Sequence, residues 1–286
     1  MDLDNQIRHL KLLGLVIQDE EKAIEILSDI GLYRLGFYMF PFEKKYPNKE
    51  NRDHILRDGT TIETVLRLYY FDFDLRQILL KYISRIEIHF RTTVVNYMSA
   101  KHRNKDTWFA DDAIVSPAYA RSFDNIYDRV KLSTYIKWHH HKHSCKYAPA
   151  WKTLELMSIG EILDLYNAIS NVTSRLDISM VHGIRSIKTF NNYLTAVRRI
   201  RNRCAHNGVL FDYTAGVALT EKGPVKLSSV FEKTNLCGAI GVIKYLTGIV
   251  SLNRKTDMET ELRQLIDKYM DDEDLYTTIR IASGLK

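Results

Sequence analysis

The sequence predicts an all-α protein, and three observations lead to that prediction. Apolar residues recur with the period of an α-helix, about 3.6 residues, along most of the chain. Only 5 prolines and 13 glycines in 286 residues leave few places where a helix must stop. Strand patterns are weak, and only residues 217–227 suit a short hairpin, with a plain loop as the alternative.

The predicted helices follow one another along the chain. The first begins at Glu20 and stops at Gly31, a residue type that favours helix ends. A Thr-Thr-Ile-Glu start and a long apolar series predict a long helix at residues 62–100. Further helices are predicted at residues 116–143, 150–170, 185–206, 228–252 and 257–269. The sequence contains no internal repeat or low-complexity linker, which predicts one helical domain (59–286). A smaller N-terminal helical portion (1–58) is expected to pack on that domain.

Composition and charge predict a cytoplasmic globular protein with basic surfaces. No apolar run reaches the roughly 18 residues of a membrane span, and the N-terminus lacks a signal-peptide cleavage pattern. Three widely spaced cysteines fit neither a disulfide framework nor a zinc site. The net charge is +6; residues 129–154 and 178–211 each contain six Lys or Arg and no acid, whereas residues 257–274 contain eight acids. Basic stretches favour a polyanion, although solvated helix faces explain them equally well.

The stretch RRIRNRCAH, at residues 198–206, contains one arginine in an unexpected place. Six apolar side chains form a stripe along the predicted helix: Phe190, Tyr193, Leu194, Val197, Ile200 and Cys204. Arg201 lies within that stripe, four residues after Val197 and three before Cys204. Arg199 and Arg203 lie on the opposite, polar face. Desolvating a guanidinium group is costly, so we expect Arg201 to pair with a carboxylate, to face a cleft, or to extend from a partly buried stem to solvent.

Arg201 and His206 are candidates for a joint site, because an arginine and a histidine are a chemically sufficient pair for cutting RNA without a metal ion. A histidine can deprotonate the ribose 2′-hydroxyl, which attacks the neighbouring phosphate, while an arginine stabilises charge on the phosphate oxygens. Gly208 predicts that the helix ends just after His206. On a regular helix, however, Arg201 and His206 point roughly 140° apart. A joint site requires a long reach by the arginine, an unwound last turn or a second subunit.

The same residues match a known motif. Arg201, Asn202 and His206 resemble the R-x4-H signature of HEPN ribonucleases, including the polar residue after the arginine. Further blocks resemble, in order, those of the Abi-like (abortive infection, AbiD/AbiF-type) branch of bacterial HEPN proteins. The blocks are LYRLGFYMFPF (32–42), LYYFDFDLR (68–76), RIEIHFR (85–91) and PAW with LMSIG (149–160). The resemblance covers residues 31–211, most of the chain.

The resemblance implies an α-helical HEPN bundle with metal-independent endoribonuclease activity and no cofactor. Arg201 and His206 would be catalytic, and Asn202 would support or orient them. Because the chain offers no second R-x4-H match, the implied site combines two copies in a homodimer. Glu87 and Arg91, an i,i+4 pair on the long helix, are candidates to brace the site, with Glu87 as the carboxylate partner of Arg201. Other basic residues are expected to hold the RNA backbone: Arg198, Arg199 and Arg203.

Other features of the sequence leave alternatives open. Asn207 follows the motif where the family often has another histidine. The histidines within residues 139–143 suit a metal site or an RNA-facing basic patch, but a plain exposed surface is the favoured interpretation. Cys204 lies on the apolar stripe, where cysteine is usually an inert hydrophobe. Helical spacing favours core packing over base stacking for a run of aromatic residues: Tyr33, Phe37, Tyr38, Phe40 and Phe42.

Two functions are compatible with the sequence. The leading hypothesis is an endoribonuclease that cleaves cellular or phage RNA in bacterial anti-phage defence, restrained by an antitoxin or other regulatory partner. The alternative is a non-catalytic HEPN-type module that binds RNA or a protein. Both predict RNA affinity, so a cleavage assay is needed to separate them. No P-loop, dinucleotide fingerprint or Gly-x-Ser-x-Gly elbow indicates another class of enzyme.

Overall fold

The computed structural model describes residues 2–227 and 229–285, and within these residues the fold is all-α, as predicted. The first seven helices are α1 (Leu3–Leu12), α2 (Glu20–Ile30), α3 (Leu32–Met39), α4 (Ile62–Lys101), α5 (Pro117–Val130), α6 (Thr134–Lys142) and α7 (Ala150–Thr153). They are followed by α8 (Ile159–Ala168), α9 (Val172–Val181), α10 (Ile187–Ala205), α11 (Val230–Thr234), α12 (Leu236–Val250), α13 (Leu252–Asp267) and α14 (Glu273–Ser283). The described residues contain no β-strand, so residues 217–227 form a loop.

The longest helix, α4, is the central element of the fold. It begins after Thr61, whose hydroxyl accepts a hydrogen bond from the Thr64 N–H at 3.1 Å, and it runs for 40 residues. The predicted helix at residues 62–100 is therefore confirmed. Its apolar face is buried from Ile62 to Met98, and α3, α10, α12 and α13 pack around it. This packing brings α10, which carries Arg201, against α4.

Three of the predicted helices are interrupted, which corrects the prediction. Residues 116–143 form α5 and α6, because Ser133 has an extended backbone and starts a new helix. Residues 150–170 form α7, a 3-10 turn and α8, which Ser158 opens with a capping box to Glu161. In the helix predicted at 228–252, Asn235 caps α12 and separates it from α11, while Ser228 lies outside the described residues. The Ser158 and Asn235 side chains accept hydrogen bonds from backbone N–H groups of the next helix, which starts that helix within an uninterrupted apolar pattern.

The N-terminal helices pack into the same hydrophobic core as α4. Besides the predicted α2, this region contains α1 and α3, which the sequence analysis did not predict. Gly31 separates α2 from α3 with a φ of 80°, a conformation that favours glycine. Leu35 and Tyr38, on α3, are completely buried. The division of the chain near residue 58 stays a prediction.

Candidate functional site

The stretch RRIRNRCAH forms the end of α10. This helix begins after Ser186, whose hydroxyl accepts the Thr189 N–H at 3.3 Å, and ends at Ala205. Its buried residues include the whole predicted stripe: Phe190, Tyr193, Leu194, Val197, Ile200 and Cys204. Burial raises the pKa of the Cys204 thiol to about 12, so this thiol stays protonated at neutral pH. Cys204 is therefore a hydrophobic residue of the core, as expected, rather than a nucleophile.

A residue with a left-handed backbone conformation, Asn207, turns the chain sharply after α10. His206 is the C-cap, and Asn207 follows with a φ of 54°. The Asn207 N–H donates to the Cys204 carbonyl at 3.2 Å. The Gly208 N–H donates to the Arg203 carbonyl at 2.7 Å, which completes a Schellman motif. Asparagine adopts this conformation more readily than most residues, and the turn leaves His206 exposed at the helix end.

A buried carboxylate holds the segment that follows this turn. Asp72, on α4, is 0% exposed, and its Oδ1 accepts the N–H groups of Leu210 at 3.0 Å and Phe211 at 2.6 Å. Its Oδ2 accepts the Tyr38 hydroxyl at 2.8 Å and forms an ion pair with Arg76. Burial raises the pKa of Tyr38, so this hydroxyl remains a donor. One carboxylate thus ties α3 and α4 to the chain just beyond the motif.

Sequence reasoning missed this network, although a signal for it was present. Arg76 also donates from Nη1 to the Gly208 carbonyl at 3.3 Å, so it contacts the turn itself. Asp72 and Arg76 are four residues apart on the buried face of α4. Opposite charges at this spacing within an apolar stripe indicate a buried ion pair. Asp72 and Arg76 are therefore, like Arg201, charged residues within an apolar stripe of a helix.

Arg201 pairs with Glu87, the carboxylate predicted for it. Arg201 Nε lies 3.1 Å from Glu87 Oε1, and Arg201 Nη1 donates to Asn202 Oδ1 at 3.4 Å. The side chains of Arg201 and Glu87 are 34% and 15% exposed, so the pair remains partly open to solvent. Burial raises the pKa of Glu87, and the positive charges of Arg201 and Arg91 oppose that rise. The contact is confirmed, whereas the catalytic roles of Arg201 and Asn202 stay predictions.

Arg91 braces a different part of the fold. Its Nη1 forms an ion pair with Glu155 at 3.2 Å, and its Nη2 donates to the Met157 carbonyl at 2.9 Å. These bonds hold the connection between α7 and α8 against α4. Arg91 acts on Glu87 through its charge, and no hydrogen bond joins the two in the described part of the chain.

His206 opens onto a groove of about 530 Å³ beside the N-terminal part of the chain. Four cationic side chains line the groove with it: Arg34, Lys49, Arg52 and Arg203. Of the three arginines expected to hold RNA, Arg203 lines this groove. Arg198 instead lies beside Gly160 on α8, and Arg199 faces a separate pocket. Arg201 and Asn202 do not line this groove, and no hydrogen bond joins Arg201 to His206 among the described residues.

Two of the groove cations are neutralised by carboxylates. Arg52 donates from Nε at 2.9 Å and from Nη2 at 2.5 Å to the two oxygens of Glu43, which is 3% exposed. Lys49 Nζ lies 3.4 Å from an Asp212 oxygen. Both cations come from the segment after α3, which the sequence argument did not connect with the motif.

The other two cations retain their positive charge for a ligand. Arg34 Nη1 donates to the backbone carbonyl of Asn207 at 2.7 Å, which places the guanidinium group beside His206. The Arg203 guanidinium lies 5.3 Å from the centre of the Tyr213 ring. Within residues 2–227 and 229–285, neither arginine forms an ion pair with a carboxylate. The groove therefore has uncompensated positive charge next to His206.

Two of the histidines near the end of α6 contact other side chains of the protein. His140 Nε2 lies 2.7 Å from the Tyr127 hydroxyl, and His139, only 9% exposed, has its Nδ1 3.4 Å from Lys152 Nζ. The plain-surface interpretation therefore does not hold for His139. No group of three or more His, Cys, Asp or Glu among the described residues is arranged to hold a metal ion.

Comparison with known families shows which protein family the chain belongs to. A family model described as Abi-like protein matches residues 25–212, more than half of the chain. The chain belongs to the Abi-like protein family. Membership links this Abi-like protein to abortive infection, and the matched region contains Tyr38, Asp72, Glu87 and His206. Searches of curated proteins and of solved structures gave no match. Where the structure describes this Abi-like protein, no helix has the length and apolar character needed to span a bilayer.

Proposed function

We propose that this Abi-like protein is a HEPN-type endoribonuclease that cleaves RNA without a metal ion during abortive infection. The observation that carries the proposal is the R-x4-H motif at the end of α10. Its arginine is held by Glu87 at 3.1 Å, and its histidine is exposed. An oriented guanidinium group and an accessible imidazole are a chemically sufficient pair for metal-free RNA cleavage.

The proposed chemistry is transfer of the phosphate to the neighbouring ribose. His206 removes the proton from the 2′-hydroxyl, and the 2′-oxygen attacks phosphorus. The bond to the 5′-oxygen then breaks, and the same His206, now protonated, supplies the proton to that oxygen through a water molecule. The products are a 2′,3′-cyclic phosphate and a 5′-hydroxyl end. Arg201 stabilises the charge on the phosphate oxygens, and Asn202 limits the orientations of its guanidinium group.

The proposed site combines two copies of the chain, because Arg201 and His206 of one copy face different surroundings. His206 faces the groove lined by Arg34 and Arg203, whereas Arg201 is held on the α4 side by Glu87. In a homodimer, Arg201 of one copy would meet His206 of the other. Two equivalent sites would form across one two-fold axis.

A cleavage assay in excess EDTA tests the nuclease. We expect the wild type to cut single-stranded RNA, leaving cyclic phosphate ends, and His206→Ala and Arg201→Ala to lose nearly all activity. Arg8→Ala and His9→Ala, which alter exposed residues on α1, are matched controls and should cut normally. Intact RNA with the wild type, or normal cutting by both motif variants, would refute the proposal. Sequencing the RNA ends that accumulate with the wild type but not with His206→Ala would identify the cleaved RNA.

Mixing the two inactive variants tests the composite site. A mixed dimer of Arg201→Ala and His206→Ala has one site with both groups intact. Because half of the dimers in an equal mixture are mixed, we expect about a quarter of the wild-type activity after exchange of subunits. A mixture that remains inactive despite exchange, or a wild type that is active as a monomer in sizing experiments, contradicts the two-copy site.

The uncompensated charge of the groove also supports a second candidate, an RNA-binding module that does not cut. Arg34 and Arg203 would attract a phosphate backbone whether or not cleavage follows. RNA binding by a wild type that leaves all RNA intact would favour this candidate. An antitoxin or other regulatory partner stays a prediction for either function.

A further inference from the structure

The aromatic run near the N-terminus is divided between the core and the surface. Tyr38, Phe40 and Phe42 are buried, as helical spacing predicts. Tyr33 and Phe37, one helical turn apart on α3, are 84% and 45% exposed. Their ring centres are 5.1 Å apart with an angle of 78° between the planes, an edge-to-face pair. Core packing therefore does not explain these two rings.

One of the two exposed rings lines the groove of the proposed catalytic histidine, and the second ring contacts the first. Phe37 lines the same groove as His206. Arg34, between the two aromatic residues in the sequence, donates to the Asn207 carbonyl at 2.7 Å and so fixes α3 against the end of α10. The groove edge thus combines aromatic rings with a cation that has no carboxylate partner in the described part of the chain.

We propose that α3 forms a base-stacking subsite for single-stranded RNA at this groove, an inference that rests on the proposed function. Phe37 stacks on the base next to the cleaved phosphate, Tyr33 supports Phe37, and Arg34 holds the adjoining phosphate. Aromatic rings beside a basic groove are the features with which proteins bind single strands with little sequence preference. Bases in double-stranded RNA are stacked within the helix and unavailable to such a ring, so the subsite selects unpaired RNA.

A groove of about 530 Å³ is large enough to admit a ligand of nucleotide size. The positive charge at Arg34 and Arg203 favours a polyanion over an apolar peptide. The charge and the exposed ring together argue for nucleic acid rather than a protein partner.

Binding measured with the His206→Ala variant of the 286-residue chain tests this subsite apart from cleavage. The probes are fluorescein-labelled single-stranded poly(U) and poly(A) oligonucleotides, the same strands made without bases, and a duplex of the two. We expect Phe37→Leu to weaken single-strand binding about tenfold, because stacking is lost, and Phe37→Trp to retain it. The strand without bases should bind weakly and equally to all these variants. Tyr135→Leu, on α6 and 78% exposed, is the matched aromatic control and should bind normally.

Arg34→Gln tests the charge. It should lower the slope of log affinity against log salt concentration by about 0.7, the change expected for one lost phosphate contact on a single strand. Unchanged affinity in Phe37→Leu, or an equal loss on the strand without bases, overturns the subsite and leaves the surface for a protein partner. If the wild type fails to cut while these losses appear, the nuclease proposal fails and the subsite stands. If the wild type cuts and the losses are absent, the subsite alone fails.

Discussion

Glu87 Oε1 and Arg201 Nε lie 3.1 Å apart and join two helices across 114 positions of the sequence. The contact explains how an arginine occupies an apolar stripe. Its guanidinium group leaves the core at the edge of the α4–α10 packing and meets a carboxylate whose own pKa is raised by burial. The pair holds Arg201 in one orientation while about a third of its side chain stays accessible.

Glu87→Gln should lower the rate of RNA cleavage strongly while lowering the free energy of unfolding only slightly. The amide accepts a weaker hydrogen bond from Arg201, and a poorly oriented guanidinium group stabilises the phosphate less. We expect a fall in the single-turnover cleavage rate of about tenfold. The free energy of unfolding should fall by about 1 kcal/mol or less, since the pair is partly solvated. Glu155→Gln removes an exposed partner of Arg91 and is the control; an equal loss of cleavage in both variants would argue against a specific role for Glu87.

Asp72→Asn should lower the stability of the protein strongly. The substitution leaves the buried Arg76 guanidinium without its counter-charge, which costs about 3 kcal/mol or more. Asp74→Asn, two residues along α4, removes a surface ion pair to Lys268 and should cost about 1 kcal/mol or less. Chemical denaturation of both variants measures the difference. Similar values for the two would mean that the Asp72 network does not hold the turn after the motif.

Asn207 occupies a backbone conformation that restricts which residues can follow His206. Asn207→Gly should leave the free energy of unfolding within about 0.5 kcal/mol of the wild type, because glycine adopts a positive φ freely. Asn207→Val should lower it by about 1–2 kcal/mol, because a β-branched side chain clashes in the left-handed region. Thermal unfolding followed by circular dichroism tests this order. A valine variant as stable as the glycine variant would contradict the left-handed turn.

Buried His182 should make the protein lose stability in mild acid. Burial lowers its pKa to about 4, its Nδ1 donates to the Ile178 carbonyl at 2.9 Å, and the His89 ring, whose pKa is also lowered by burial, faces it at 4.9 Å. Between pH 6.5 and about 4 the unfolded chain binds a proton that folded His182 does not. The free energy of unfolding should therefore fall with pH in this window, by about 3 kcal/mol in total.

His182→Gln provides the test of that pH dependence. The variant loses ring contacts with Phe90 and Phe190 and should be less stable at neutral pH. Its stability should nevertheless fall less steeply on acidification, since the titrating group is gone. Denaturation curves collected across the window give both slopes, and identical slopes would show that other groups cause the acid sensitivity.

The apolar periodicity of the sequence predicted the main helices but not where they break. Both α4 and α10 were predicted within two residues of their ends, because each buries a long stripe whose period is visible locally. The breaks at Ser133, Ser158 and Asn235 were missed. At each of these positions a short polar side chain begins a new helix while the apolar pattern continues across the break.

The pattern of residues within α10 was sufficient to single out Arg201, because an unpaired charge within an apolar stripe is costly to bury. It was not sufficient to show that α3 reaches His206. The bond from Arg34 to Asn207 spans 173 positions, and it depends on α3 packing against α4 and on Asp72 holding the chain beyond the motif. No local pattern records such a contact, since it arises from the burial of several helices in one core. The groove and its exposed aromatic rings are therefore properties of the folded molecule.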